Sequence, residues 1–190
     1  MVNGYKSLFI DRVATPTSDE VYKAGVTFDE IYALYQFDRE LRHVFLKYLL
    51  KIETHFKTEV AHVFSREYGH DNYLKLESFH NTASDLSALK RIAAQKKLSM
   101  TKDIDEIKRI SAGENIADVT RLIGDIQQEI ARQLRKRNEM VSHYMTHHGY
   151  IPMWVLVNVL TFGKVTTFFL NMKEAEKVDI ARQFNLQYSV

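Results

Sequence analysis

Cysteine is absent from the 190 residues. That excludes disulfides, thiolate zinc sites, iron–sulfur clusters and a cysteine nucleophile, and it suits a reducing cytoplasm. Glycine (7) and proline (2) are scarce, which argues against collagen, Pro-rich linkers and a turn-dense β-sandwich. An excess of one charge is missing as well: 26 Lys+Arg against 24 Asp+Glu leave a formal +2, too little to mark a nucleic-acid binder. The amino terminus, MVNGYKSLFI, lacks the basic-then-apolar run of a secretory signal. The most apolar stretch, residues 151–170, contains Pro152, Asn158, Gly163 and Lys164. A Lys at mid-span costs about 3 kcal/mol in lipid, so two short buried helices explain this stretch better than a membrane span. There is no Gly-rich phosphate loop, Ser-His-Asp order or paired-carboxylate signature.

What the chain does have is helical periodicity. Hydrophobic residues make up 45% and charged residues 26%, the mix of a globular chain that buries a core. Residues 1–26 carry the breakers Gly4, Pro16 and Gly25 and are expected to be irregular. Thr27-Phe28-Asp29-Glu30 has the Thr-x-x-Glu pattern of a capping box, and no Gly or Pro follows until Gly69. Ile31, Leu34, Leu41, Phe45, Leu49, Ile52, Phe56, Val60 and Val63 recur at helical spacing. A helix of that length would run about 60 Å, so a bend or break is expected inside it. Further helices are expected over residues 84–97 (Leu86, Leu89, Ile92 and Ala93 inward), 116–144, 153–160, 165–172 and 174–184. Between the second and third lies a polar stretch, residues 99–114, with room for a helical turn. Val119, Leu122, Ile123, Ile126, Ile130 and Leu134 form the stripe of the third. No stretch alternates with period two. The expected fold is an all-α helical bundle in a single domain spanning residues 1–190.

Charge is uneven: residues 1–79 carry −2, residues 80–143 carry +3 and residues 144–190 carry +1. The basic segment holds Arg137-Asn138-Glu139-Met140-Val141-Ser142-His143. Arg grips phosphate through a charge-assisted fork and His titrates near neutrality. Together they suffice for metal-free RNA cleavage, with His143 as general acid/base on the ribose 2′-OH and Arg137 stabilising charge at phosphorus. On an unbroken helix the two would lie about 120° and ~9 Å apart, so convergence needs a kink, a curved ligand or a second subunit. The same residues also suit a solvated helix end in which Glu139 pairs with His143. His143 and His147 have zinc-compatible spacing, but the chain has no Cys and no Asp or Glu lies close downstream to complete a set, so no metal is expected. Basic residues also line up as Arg39, His43, Lys47, Lys51 and His55 on the first helix. A second group is Arg132, Arg135, Lys136 and Arg137, and a third is Lys90, Arg91, Lys96 and Lys97. Either solvation or phosphate contact explains them. Trp154 and Phe162 are expected inside, since aromatics at helical spacing are core more often than base-stacking platforms.

Several strings carry a resemblance. They are Asn3-Gly4-Tyr5-Lys6, Ile31-Tyr32-Ala33-Leu34-Tyr35-Gln36-Phe37-Asp38-Arg39-Glu40-Leu41-Arg42, Ile52-Glu53, Phe64-Ser65-Arg66-Glu67-Tyr68-Gly69 and Asn72-Tyr73-Leu74. In the same order follow His143-Tyr144, Ile151-Pro152-Met153-Trp154-Val155 and Leu160-Thr161-Phe162-Gly163. Together they resemble the Abi-like (abortive infection, AbiD/AbiF type) bacterial family over nearly the whole chain. The resemblance implies phage defence in the bacterial cytoplasm, a HEPN-like helical fold, and RNA cleavage by an Arg-x(4–6)-His motif, often completed across a homodimer. It implies RNA as partner, a small non-coding RNA in some relatives, and no cofactor, DNA or membrane. In that family an Arg-Asn-x-x-x-His helix follows the Phe-Gly string, and helices precede the Asn-Gly-Tyr-Lys string. The chain is therefore expected to lack family segments at both ends. Arg137, Asn138 and His143 match the motif's spacing but not its usual place. The expected site is His143 as acid/base, Arg137 as phosphate clamp and Asn138 orienting, with Arg132, Arg135, Lys136, Arg39, Lys47 and Lys51 on the RNA. The alternative is a non-catalytic RNA- or protein-binding or dimerisation module.

Overall fold

The computed structural model describes residues 4–11, 20–79 and 86–184. Among these there is no strand, only a single antiparallel bridge between Ile10 and Tyr22. The helices are α1 Phe28–Tyr68, α2 Leu86–Lys96, α3 Ile104–Arg135, α4 Glu139–His148, α5 Met153–Val159, α6 Phe162–Asn171 and α7 Glu174–Gln183. The all-α expectation holds. Pro16, Asn3 and the expected helix start at Ser84 lie outside the described residues.

Packing divides the chain into two compact units, residues 1–52 and 53–190, with the division inside α1. That helix nevertheless runs 41 residues without interruption, so the expected break is not there. Nothing in its sequence removes a backbone donor or supplies a stop before Gly69, which takes a left-handed φ of 81°. At its start the Glu30 side chain accepts from the Thr27 amide at 2.9 Å, one half of a capping box.

In the first unit, Tyr5 donates to Asp38 and receives a bond from Arg42 (2.6 Å), while Arg42 also pairs with Asp38. The hydrogen bond from Tyr5, and then the one from Arg42, hold the Asp38 carboxyl below the usual carboxylate range despite some desolvation. Ile31 is buried. The expected core stripe fails further along, where Leu41, Phe45, Leu49 and Ile52 are 40–60% exposed. A helical pattern shows which residues share a face, not that anything covers it.

The second unit holds the main core. Val60, Val63 and Phe64 of α1 meet Val119, Leu122, Ile126 and Ile130 of α3, Val141 of α4, and the buried sides of α5, α6 and α7. Phe168 sits at its centre, edge-on to Phe64 (4.9 Å between centroids) and to Phe79 (5.3 Å). A smaller cluster of Leu89, Ile92, Ala93 and Ile107 pins α2 to the start of α3. Leu86, expected inward, is exposed because it opens α2 beyond this contact. The third helix begins at Ile104, so most of the expected polar stretch is helical. Its Gly113 and Gly124 are tolerated at about 1 kcal/mol each.

One buried phenol gives the fold a pH signature. Tyr73 donates to the Ile151 carbonyl at 2.7 Å, and burial pushes its pKa from 10.0 up to about 12. A raised acid favours the protonated folded state, so its contribution is complete below pH 10 and is lost as pH rises toward 12. The expected loss is on the order of 2–3 kcal/mol. Urea melts from pH 9 to 12 check this: the slope should flatten in Tyr73→Phe, and an unchanged slope would clear Tyr73.

Candidate functional site

The segment from Arg132 to His148 is where the sequence and structure differ most. The expected third helix runs unbroken through it to residue 144. Instead α3 ends at Arg135 and a new helix starts at Glu139. The Arg137 amide donates to the Leu134 carbonyl (3.0 Å) and the Asn138 amide to the Gln133 carbonyl (3.0 Å). This crossed pair is the Schellman closure, with Arg137 in the left-handed position at φ 55°. Glycine is the usual occupant there, and its absence hid the break from sequence. The signal that could have found it is Asn138 followed by Glu139, an N-cap and an acidic first turn. The Asn138 side chain accepts from the Val141 amide (3.1 Å) and donates to the Gln133 side chain (3.3 Å). Its observed role is therefore to fix the turn.

The other expected residues fare unequally. Arg135, Lys136 and Arg137 are exposed on the turn, beside the positive end of α4. Arg132 is committed elsewhere: its guanidinium grips buried Glu129 through Nη2 at 2.6 Å and Nε at 3.0 Å. Gln133 joins at 2.7 Å, and the Arg132 hydrogen bonds hold the Glu129 carboxyl below its ordinary range. Arg39, Lys47 and Lys51 are exposed in the first unit, where Arg39 pairs with Glu40 (3.2 Å) and Lys51 lies 5.6 Å from the Tyr48 ring centre.

His143 is exposed on α4. It faces other rings rather than Glu139: His147 is stacked at 4.4 Å, Tyr144 stands edge-on at 5.4 Å and His148 lies at 6.2 Å. Among the described residues no group of His, Asp and Glu could hold a metal ion. The break changes the expected relation of Arg137 and His143, since the two now flank a change of helix direction. Arg137 precedes the cap, while His143 stands in the second turn of α4.

Trp154 and Phe162, expected inside, are 49% and 43% exposed. Both sit on helices whose opposite faces fill the core, with Met153, Val155 and Leu156 fully buried. Trp154 meets Tyr144 edge-on at 5.5 Å, so an aromatic surface runs from the α4 histidines to α5. The period of α5 could have shown this, because Trp154 and Asn158 are four apart and share the one polar face.

No described helix is long and apolar enough to cross a membrane. No curated protein and no solved structure matches the chain. A family model for Abi-like proteins matches residues 1–190, the same family that the Tyr-Gln-Phe-Asp-Arg-Glu-Leu and Pro-x-Trp…Phe-Gly strings resemble. The chain belongs to the Abi-like, abortive-infection family.

Proposed function

We propose that this phage-defence protein acts on RNA as a metal-independent, HEPN-type endoribonuclease, with His143 as acid/base and Arg137 as phosphate clamp. The observation that carries the reading is the exposed Arg135-Lys136-Arg137 turn, which leads into the positive end of α4 with His143 exposed on the next turn. His143 would take the 2′-OH proton as the 2′-oxygen attacks phosphorus; the bond from phosphorus to the 5′-oxygen breaks, the 5′-oxygen takes a proton from water, and a 2′,3′-cyclic phosphate remains. The test is incubation of purified protein with end-labelled RNA in EDTA. Cleavage leaving cyclic-phosphate ends is the expected result, and intact RNA overturns the catalytic reading. The second reading, a non-catalytic RNA-binding module, is favoured by Asn138, whose side chain is occupied at both its oxygen and its nitrogen. Salt-sensitive RNA retention without cleavage would select it.

We propose also that two copies associate through α1. Phe37, Leu41, Val44, Phe45, Tyr48, Leu49 and Ile52 are 40–63% exposed and fall within an arc of about 140° at 100° per residue. An antiparallel pairing sets Phe37 against Tyr48 and Leu41 against Val44 of the second copy. The same register brings Glu40 beside Lys47 of the second copy, twice by symmetry, so the flanking charges are self-complementary. Sedimentation should show a dimer that Phe45→Glu converts to monomer. A wild-type monomer at high concentration would overturn it.

A further inference from the structure

Between α1 and α5 of the second unit lies a groove of about 580 Å³, and none of the functional residues expected from sequence lines it. Its wall on α5 is Trp154, half-exposed on an otherwise buried turn. Facing it on α1 are Lys57, His62 and Arg66, with Thr58 and Ser65 between them and Asn158 below Trp154. No carboxylate is among the lining residues. Those nearby stand outside it and leave donors over: Lys57 uses one N–H on Glu53 (2.7 Å), and Arg66 uses Nε on Glu67 and one Nη on Asp179 (2.7 Å each). Among the described residues neither the indole N–H of Trp154 nor the ring of His62 has a hydrogen-bond partner.

We propose that this groove binds one nucleotide of a single-stranded RNA, its base stacked on Trp154 and its phosphate held by Lys57, His62 and Arg66. Only a planar group with an anion attached uses both the aromatic wall and the cations opposite it. An aliphatic ligand would leave the cations idle, and a bare anion would leave the indole bare. Thr58 donates to the Thr54 carbonyl (2.9 Å) and Asn158 uses one amide N–H on the Trp154 carbonyl (2.8 Å), which leaves the second Asn158 N–H, its side-chain oxygen and the Ser65 and Thr58 hydroxyl oxygens for a base edge, without selecting one base. Stacking on an aromatic face tolerates any base. The groove is also placed to serve the candidate dyad. Trp154 meets Tyr144, which stands beside His143, so two ring contacts of 5.5 and 5.4 Å link the groove to the proposed acid/base. This assignment rests on the RNA reading above and gives it a second anchor away from the α3–α4 turn.

Trp154 is the one tryptophan of the chain, so its emission reports on the groove directly. A short oligoadenylate titrated into the 190-residue protein is expected to quench that emission to saturation. A labelled strand followed by anisotropy should give the same midpoint, weakened by added salt. His62→Glu changes an exposed side chain without a partner and should weaken both signals about tenfold through like-charge repulsion. Trp154→Leu should weaken anisotropy binding by roughly five- to a hundredfold, the range of one lost stacked base. If adenosine monophosphate quenches as tightly as the oligomer, the site takes free nucleotides and the strand assignment falls. If the labelled strand binds while Trp154 emission and the His62→Glu midpoint stay unchanged, the groove is not the subsite, though the RNA reading stands. If no strand binds at all, the RNA reading fails with it.

Discussion

Replacing His143 by alanine should lower metal-free RNA cleavage by about 10²–10⁴-fold and leave the melting temperature within a degree or two. The ring is exposed and touches only neighbouring rings on its own helix, so its removal opens no cavity. Loss of a general acid/base lowers turnover and leaves strand affinity nearly untouched, because the proposed phosphate contacts lie elsewhere, on the turn before α4 and in the Trp154 groove. Arg137→Ala should behave differently, weakening affinity and rate together as a phosphate clamp does. Arg137→Lys would keep the charge without the planar fork and recover part of that loss. The same end-labelled RNA, followed over time in EDTA, reads all three. Cleavage that survives His143→Ala would remove this residue from the chemistry.

Phe168→Ala should cost about 3–5 kcal/mol, enough to unfold much of the population of a marginally stable domain. Phe168 is fully buried and joins α6 to α1 through Phe64 and to the chain after α1 through Phe79. Truncation would leave a void between three elements that cannot all close on it, since each is held by other buried side chains. Phe162→Ala, six residues earlier on the same helix, should cost no more than about 1 kcal/mol, because Phe162 is 43% exposed and meets chiefly Phe56 at 5.6 Å. Urea denaturation of the two variants side by side checks the contrast. Equal losses would show that the α6 face around Phe162 is covered in solution.

Periodicity located α5, α6 and α7 to within a few residues, and the α3 stripe from Val119 to Ile130 is the observed contact surface. Those segments are bounded by residues with obvious backbone consequences: Pro152 before α5, and Thr161, whose hydroxyl caps α6 by accepting from Lys164. The α3–α4 break was illegible because Arg occupies a position where glycine is the familiar mark. The exposed face of α1 was illegible for another reason. Leu41, Phe45 and Leu49 look alike in sequence whether a core or a second molecule covers them. Candidate residues divided similarly. The basic turn at 135–137 and His143 stand exposed, whereas Arg132 is spent on Glu129, a buried acid that only the folded chain reveals. Trp154 reads inward as an aromatic at helical spacing, whereas its place four residues from Asn158, on the face opposite buried Val155 and Leu156, turns it outward.

Two helices of this protein end on a long cationic side chain where glycine would rest more easily. Arg137 closes α3 at φ 55°, and Lys97 closes α2 at φ 56° by the same crossed bonds, Lys97 to Ala94 and Leu98 to Ala93. Each forgoes roughly 1 kcal/mol against glycine in that conformation. A stabilisation campaign ranked by heat resistance alone would therefore favour Arg137→Gly and Lys97→Gly early. It would harden the scaffold while stripping a cation from the turn on which the proposed chemistry depends. In this chain, durability and charge at the helix ends are opposing demands, and the native residues stand on the side of charge.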